Sequence, residues 1–206
     1  MKAWPDTKLT ETALSLKYST LQYIETLSRN YDAALTDGLK IPAVRNRFPT
    51  QLIPVGDIKK NTDIGFDALY KGDTLGAHQA FTAAREGLES ERAGHLNDPE
   101  FYTYDALIAA GMDNREAAVK AARKAVALVP IESDAYTGPD YLLMLAQVYA
   151  HFGDVDRAIP LIGKVVDIPS FISPALLRLD PIWDPIRNDP RFRKLLARFE
   201  SAAPNK

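Results

Sequence analysis

The chain has 206 residues, 46% hydrophobic and 25% charged, with a formal net charge of −2. That length supports one domain with a sizeable core, and the near-neutral balance exerts no general pull toward nucleic acid or an anionic membrane. Cysteine is absent, which excludes disulfides, thiolate catalysis and thiolate metal sites without fixing the compartment.

At the N-terminus, "MKAWPDTKLTETALSL" interrupts its apolar residues with Pro, Asp, Lys and Glu, so it does not read as a signal peptide. Met1 need not be the natural start, so this says little about a longer parent protein. No apolar run approaches the roughly 18 residues of a membrane span, and no membrane insertion is expected. The apolar pattern is helical nearly throughout. Residues 6–40 hold a first helical pair, turning at "SRNYDAALTDGL". Pro42, Pro49 and Pro54 crowd residues 41–56 and mark a connector; "QLIPVGDI" within it is the nearest approach to an alternating strand pattern. Pairs follow at 57–96, 99–130 and 139–169, turning at "YKGDTLGAHQAF", "GMDNREAAVKAA" and "HFGDVDRAIPLI". "REAAVKAARKAVALV" is rich in helix formers. In "YLLMLAQVYAHFG", Leu142, Leu145, Ala146 and Tyr149 form one helical stripe. Pro139 after Gly138 opens that helix. Near the end, "LDPIWDPIRNDPRFRKLL" carries three Asp-Pro pairs. Asp caps a helix N-terminus and Pro fits its first turn, so Asp180-Pro181, Asp184-Pro185 and Asp189-Pro190 read as helix starts, although Asp-Pro also suits plain turns.

Aligned on the small residue of the second helix, the four turns place Ala34, Ala77, Ala118 and Ala158 in register, spaced by 43, 41 and 40 residues. A small residue there lets antiparallel helices approach closely. A Gly, Asp or Asn just before it suits the left-handed position that ends the first helix.

This pattern resembles the tetratricopeptide repeat. The fullest match is Leu145, Ala146, Tyr149, Gly153, Asp154, Ala158, Ile162 and Pro169. The second is Gly65, Gly72, Asp73, Ala77, Phe81 and Ala84. The third keeps Ala106, Ala109, Ala118, Ala125 and Pro130 but has Asp113 where Gly is usual and Asp105 where Leu is usual. The first has Arg29 in the Gly position. The period near 40 departs from the usual 34, which leaves a HEAT-like helical array as the other reading. The resemblance implies an all-α fold: a right-handed helical-hairpin solenoid of about nine to eleven helices with a C-terminal capping segment of short helices. The last half, from "KAVALVPIESDAY" through the Asp-Pro tail, is similar to the C-terminal tetratricopeptide region of large bacterial signalling proteins, which carry a serine/threonine kinase, an adenylate or guanylate cyclase, or a winged-helix regulator. No kinase or cyclase motif stands in these residues. A helical stack ends with one apolar face uncovered, so residues 173–200 are expected to cap the last repeat, covering Leu161, Ile162, Val165 and Val166. Trp183, Phe192, Leu195, Leu196 and Phe199 form the lid, and Arg191, Arg193, Lys194 and Arg198 face water.

No catalytic, cofactor or metal set stands out. His78, His95 and His151 lie far apart and outside metal-ligand spacing, with His78 suited to a surface or edge. "ESERAGHLNDPE" reads as a solvated helix end. In the resembled fold, the first helix of each pair lines a groove that holds an extended peptide. Carried over position by position, the groove is Lys59, Thr62, Phe66, Leu69 and Tyr70 in the second pair. It continues with Thr103, Leu107 and Ala110, with Tyr104 alongside, in the third, and Leu143, Gln147, Ala150 and His151 in the fourth. It lacks a basic clamp for a terminal carboxylate. Phe66 and Tyr104 suit inter-helix core equally well. The function expected from this resemblance is non-catalytic: a protein- or peptide-binding scaffold, the regulatory part of a bacterial signalling protein, fused to or associated with an effector. Its expected location is the cytoplasm, or the periplasm if the parent is membrane-anchored. The other reading is a small-ligand sensor whose concavity encloses a metabolite. Neither the partner nor the oligomeric state is legible.

Overall fold

A computed structural model describes residues 6–42, 55–168 and 172–202. Most of the expected connector, with Pro49 and Pro54, lies outside these residues, as do Trp4 and Pro169. Among the described residues there are eleven α-helices and three short 3-10 turns, and no strand. The chain divides into two compact units, at residues 1–96 and 97–206.

In the first unit, α1 (Glu11–Leu27) pairs with α2 (Tyr31–Lys40), and α3 (Val55–Lys71) with α4 (Thr74–Glu91). Helix α2 also packs on α3. Two glycines allow close approach here. A Cβ on Gly65 would stand 2.6 Å from the Phe81 ring, and one on Gly38 would stand 2.8 Å from the Gln22 amide nitrogen.

In the second unit, α5 (Pro99–Gly111) pairs with α6 (Arg115–Leu128), and α7 (Gly138–His151) with α8 (Val155–Val166). Helix α7 packs against both α5 and α6. Asp98 is buried within the segment expected to be a solvated helix end. Its carboxylate accepts the Glu100 N–H and so caps α5.

The four hairpin turns repeat one geometry. Arg29, Gly72, Asp113 and Gly153 have φ of 63°, 87°, 58° and 66°, at intervals of 43, 41 and 40 residues. At each turn, the next residue's N–H returns to a carbonyl five positions back: Asn30 to Glu25, Asp73 to Ala68, Asn114 to Ala109 and Asp154 to Tyr149, at 2.8–2.9 Å. This is the Schellman closure, which satisfies carbonyls that a helix end leaves bare. Asp73, Asn114 and Asp154 then cap the following helix with their side chains, whereas Asn30 makes no side-chain cap. Ala34, Ala77, Ala118 and Ala158, each five residues past the left-handed position, are all buried.

The chain then turns through α9 (Pro174–Leu179), a 3-10 turn (Pro181–Trp183), α10 (Asp184–Arg187) and α11 (Pro190–Ala202). The 3-10 turn and α10 pack on α7, and α11 packs on α8. Trp183, Phe192 and Leu195 are buried, Leu196 and Phe199 half-buried, and Arg191, Arg193, Lys194 and Arg198 exposed. Beneath them Ile162 and Val165 are buried, and Leu161 and Val166 half-buried. Arg191 pairs with Asp156 and Arg198 with Asp167, which ties α11 to α8.

Two of the Asp-Pro pairs cap as expected: Asp180 accepts the Ile182 N–H and Asp189 the Arg191 N–H. The middle one does not. No side chain caps α10, and Asp184 instead takes the Arg187 guanidinium at 2.8 Å. That guanidinium also donates to the Leu177 and Asp180 carbonyls, at 2.9 and 2.6 Å. It thereby closes the bare end of α9.

Candidate functional site

In the first unit, the expected groove residues fall on α3. Lys59 is exposed and ion-paired with Asp63. Thr62 is buried and donates its hydroxyl to the Ile58 carbonyl, so it offers no surface to a ligand. Phe66 is half-buried, edge-on to Phe81 at 5.1 Å and stacked with Tyr70 at 6.0 Å; Tyr70 meets Tyr31 of α2 at 5.9 Å. The aromatic cluster therefore joins α2, α3 and α4, and Phe66 packs between helices.

In the second unit, Thr103, Tyr104 and Leu107 are half-buried on α5, and Gln147 and His151 half-buried on α7. Thr103 donates to the Pro99 carbonyl. His151 hydrogen-bonds the Ala110 carbonyl, linking α7 to α5. Burial lowers its pKa below the ordinary imidazole value, against that hydrogen bond and the nearby Asp113 carboxylate.

A different face of the second unit carries the stronger feature. A cavity of about 610 Å³, open to solvent, is lined by Arg115, Glu116, Val119, Lys120 and Arg123 of α6 and by Arg157 of α8. On a helix, positions i, i+4 and i+8 share one face, which brings Arg115, Val119 and Arg123 to the same wall, and Lys120 next to Val119 also lines it. Two anchors hold the guanidiniums. Asp154 caps α8 through its Oδ1, while its Oδ2 takes both Arg115 and Arg157, the latter at 2.9 Å. Tyr149 of α7 accepts Arg123 from Nε at 3.2 Å and from Nη2 at 2.9 Å. Arg115 and Arg157 also lie over the Phe152 and Tyr149 rings, each 5.7 Å from the centroid, a favourable cation–π placement. Arg115 is the first residue of α6, where the helix dipole disfavours a cation; Asp154 offsets that cost.

Compared with known proteins, the chain matches no family model, no curated protein and no solved structure. The arrangement of its own side chains therefore carries the functional argument. Among the described residues the lining holds four cations and one carboxylate, Glu116, with Asp154 paired to two of the cations, in a chain whose net charge is negative. Lys120 has no ion-pair partner among the described residues. The expected groove omitted this wall because it was placed on the first helix of each pair, whereas α6 and α8 are second helices. The cation spacing along "REAAVKAAR" was the available signal.

A separate acidic group stands at the starts of α5 and α7. Burial and the neighbouring Asp98 push the Glu100 carboxyl up to about 7, and burial with Glu100, Asp98 and other carboxylates raises Tyr141. No cluster of three His, Cys, Asp or Glu suited to a metal ion exists among the described residues, and none of the described helices is long and apolar enough to cross a membrane.

Proposed function

We propose that this chain is a non-catalytic interaction module that binds a segment of another protein. In this reading its helical hairpins are tetratricopeptide-like repeats, winding right-handedly within each unit. The observation that carries the reading is the fourfold turn: the same left-handed position, the same Schellman closure and the same buried Ala five residues on. Such a scaffold repeats a frame and leaves its exposed side chains free to vary, which suits recognition of a partner's surface. The Asp-Pro tail supports a place at the regulatory end of a cytoplasmic bacterial signalling protein. The cavity on α6 and α8 is open to solvent, unlike the closed pocket that suits a metabolite sensor.

Selection of a random peptide phage library on the immobilised chain tests this. Enrichment of a convergent peptide family, reproduced by a synthetic member binding in solution, supports the module. Failure to enrich any family overturns it.

A further inference from the structure

The geometry points to an acidic, extended peptide segment as the ligand of the α6/α8 wall, held through internal Asp or Glu side chains by Arg115, Lys120, Arg123 and Arg157. This inference rests on the interaction reading and names the chemistry of the partner.

Charge comes first. Asp154 is shared between Arg115 and Arg157, and the neutral Tyr149 hydroxyl is the partner that holds Arg123. With Asp154 and Glu116 set against Arg115, Lys120, Arg123 and Arg157, the wall keeps a net positive charge. The guanidiniums of Arg115, Arg123 and Arg157 are held in place before any ligand arrives, which lowers the ordering cost of binding.

Spacing decides the class of anion. Arg115 and Arg123 are eight residues apart on one helix, a rise of about 12 Å. One phosphate or sulfate is too small to bridge that span. In an extended peptide, side chains on one side recur about every 6.6–6.8 Å, so two or three carboxylates in alternate positions match the wall. Val119, half-buried between the cations, offers an apolar contact to the intervening residues.

Two features disfavour nucleic acid. Single strands are held by bases stacking on free aromatic faces, but here guanidiniums lie over the Tyr149 and Phe152 rings. Glu116 also places a carboxylate within the wall, where a continuous phosphate backbone would meet it. A peptide can set an uncharged residue opposite Glu116, so this side chain fixes register.

The test measures fluorescence anisotropy with the full chain and a fluorescein-labelled octapeptide of alternating Asp and Leu, blocked at both ends. Controls are the same peptide with Lys for Asp, inorganic phosphate as competitor, and a single-stranded oligothymidylate. The expected result is saturable binding of the Asp peptide. It should weaken at least about tenfold when salt shrinks the screening length, and at least about tenfold in Lys120→Glu/Arg123→Glu. A charge-matched control, Lys164→Glu/Lys194→Glu, should bind as the unmodified chain does, with both variants showing an unchanged circular dichroism spectrum. If the cavity variant loses its fold, the milder Lys120→Gln/Arg123→Gln replaces it and should still weaken binding more than the control. Equal binding of the Lys peptide, tighter binding of oligothymidylate, full displacement by millimolar phosphate, or equal binding by the cavity variant overturns the inference. If the phage library yields only non-acidic peptides and the Asp peptide does not bind, this inference fails while the interaction module stands. If no peptide of any class binds, both fail.

Discussion

Gln22 donates its Nε2 to Asp67 Oδ2 at 2.7 Å, while the other end of the same amide, Oε1, is buried without a hydrogen-bond partner among the described residues. Thr26 donates to the second carboxylate oxygen at 2.6 Å. Both Gln22 and Asp67 are 2% exposed. Burial pushes the Asp67 carboxyl from 3.8 up to about 6, against the two hydrogen bonds. A carboxyl with a raised folded-state pKa binds its proton more tightly folded than unfolded. Its contribution to stability is fully present below the unfolded value and is lost as pH rises through the folded one. Stability should therefore fall between pH 3.8 and about 6, with Asp67 contributing on the order of 2–3 kcal/mol to the change. Asp67→Asn should flatten that slope and raise the melting temperature at pH 7, because its amide can donate to Gln22 Oε1 once the Gln22 amide turns over. Urea titrations across this pH range check both points; an unchanged slope refutes the assignment.

The left-handed turns make a second prediction. Gly adopts positive φ freely, while other residues incur roughly 1–2 kcal/mol there. Asp113 sits at φ 58° and Gly153 at φ 66° in equivalent turns. Asp113→Gly should stabilise the second unit by about 0.5–1 kcal/mol. Gly153→Ala should destabilise it by about 1 kcal/mol through the backbone alone, because a Cβ there meets nothing within 4 Å. Denaturation midpoints moving in the same direction for both variants would contradict the shared turn geometry.

The buried Ala register makes a third. Ala158 is 0% exposed at the α7–α8 pair, whereas Ala197 on α11 is exposed. Overpacking a close helix contact costs roughly 1–3 kcal/mol, so Ala158→Leu should lower the urea midpoint and Ala197→Leu should leave it nearly unchanged. Equal midpoints refute the register.

The tail makes a fourth. Trp183 is 1% exposed, with its ring 6.3 Å from that of Phe192. Trp183→Ala should cost about 3–5 kcal/mol, as large-to-small core changes do. Ending the chain at Ile168 should expose Ile162 and Val165, with a loss of roughly 1.5–3 kcal/mol for each. With Trp4 replaced by Phe, Trp183 emission should be blue-shifted and protected from iodide. Red-shifted, quenchable emission and a truncation that leaves the melting temperature unchanged would make the tail a loosely held segment instead of a cap.

What the sequence by itself determined is local. Positions that end one helix and start the next act within about five residues of chain, so Gly153-Asp154, Gly72-Asp73 and Asp113-Asn114 could be read as turns without knowing what they pack against. The Ala register and the buried tail residues were legible for a related reason: helical periodicity states which face must leave water. Tertiary structure decided the rest. Gln22 and Asp67 are 45 residues apart in sequence, and neither type signals burial; only the packing of α1 and α2 against α3 removes their water. Thr62 suits a polar groove by composition, yet it is buried on the face of α3 where Ile58 and Gly65 meet Gly87 and Phe81 of α4. The cations of α6 were visible as a spacing, but Arg157 joins them only because α7 holds α8 beside α6, with Asp154 and Tyr149 as the anchors. Coulombic complementarity depends on distance in space, and that distance is set by helix packing far along the chain.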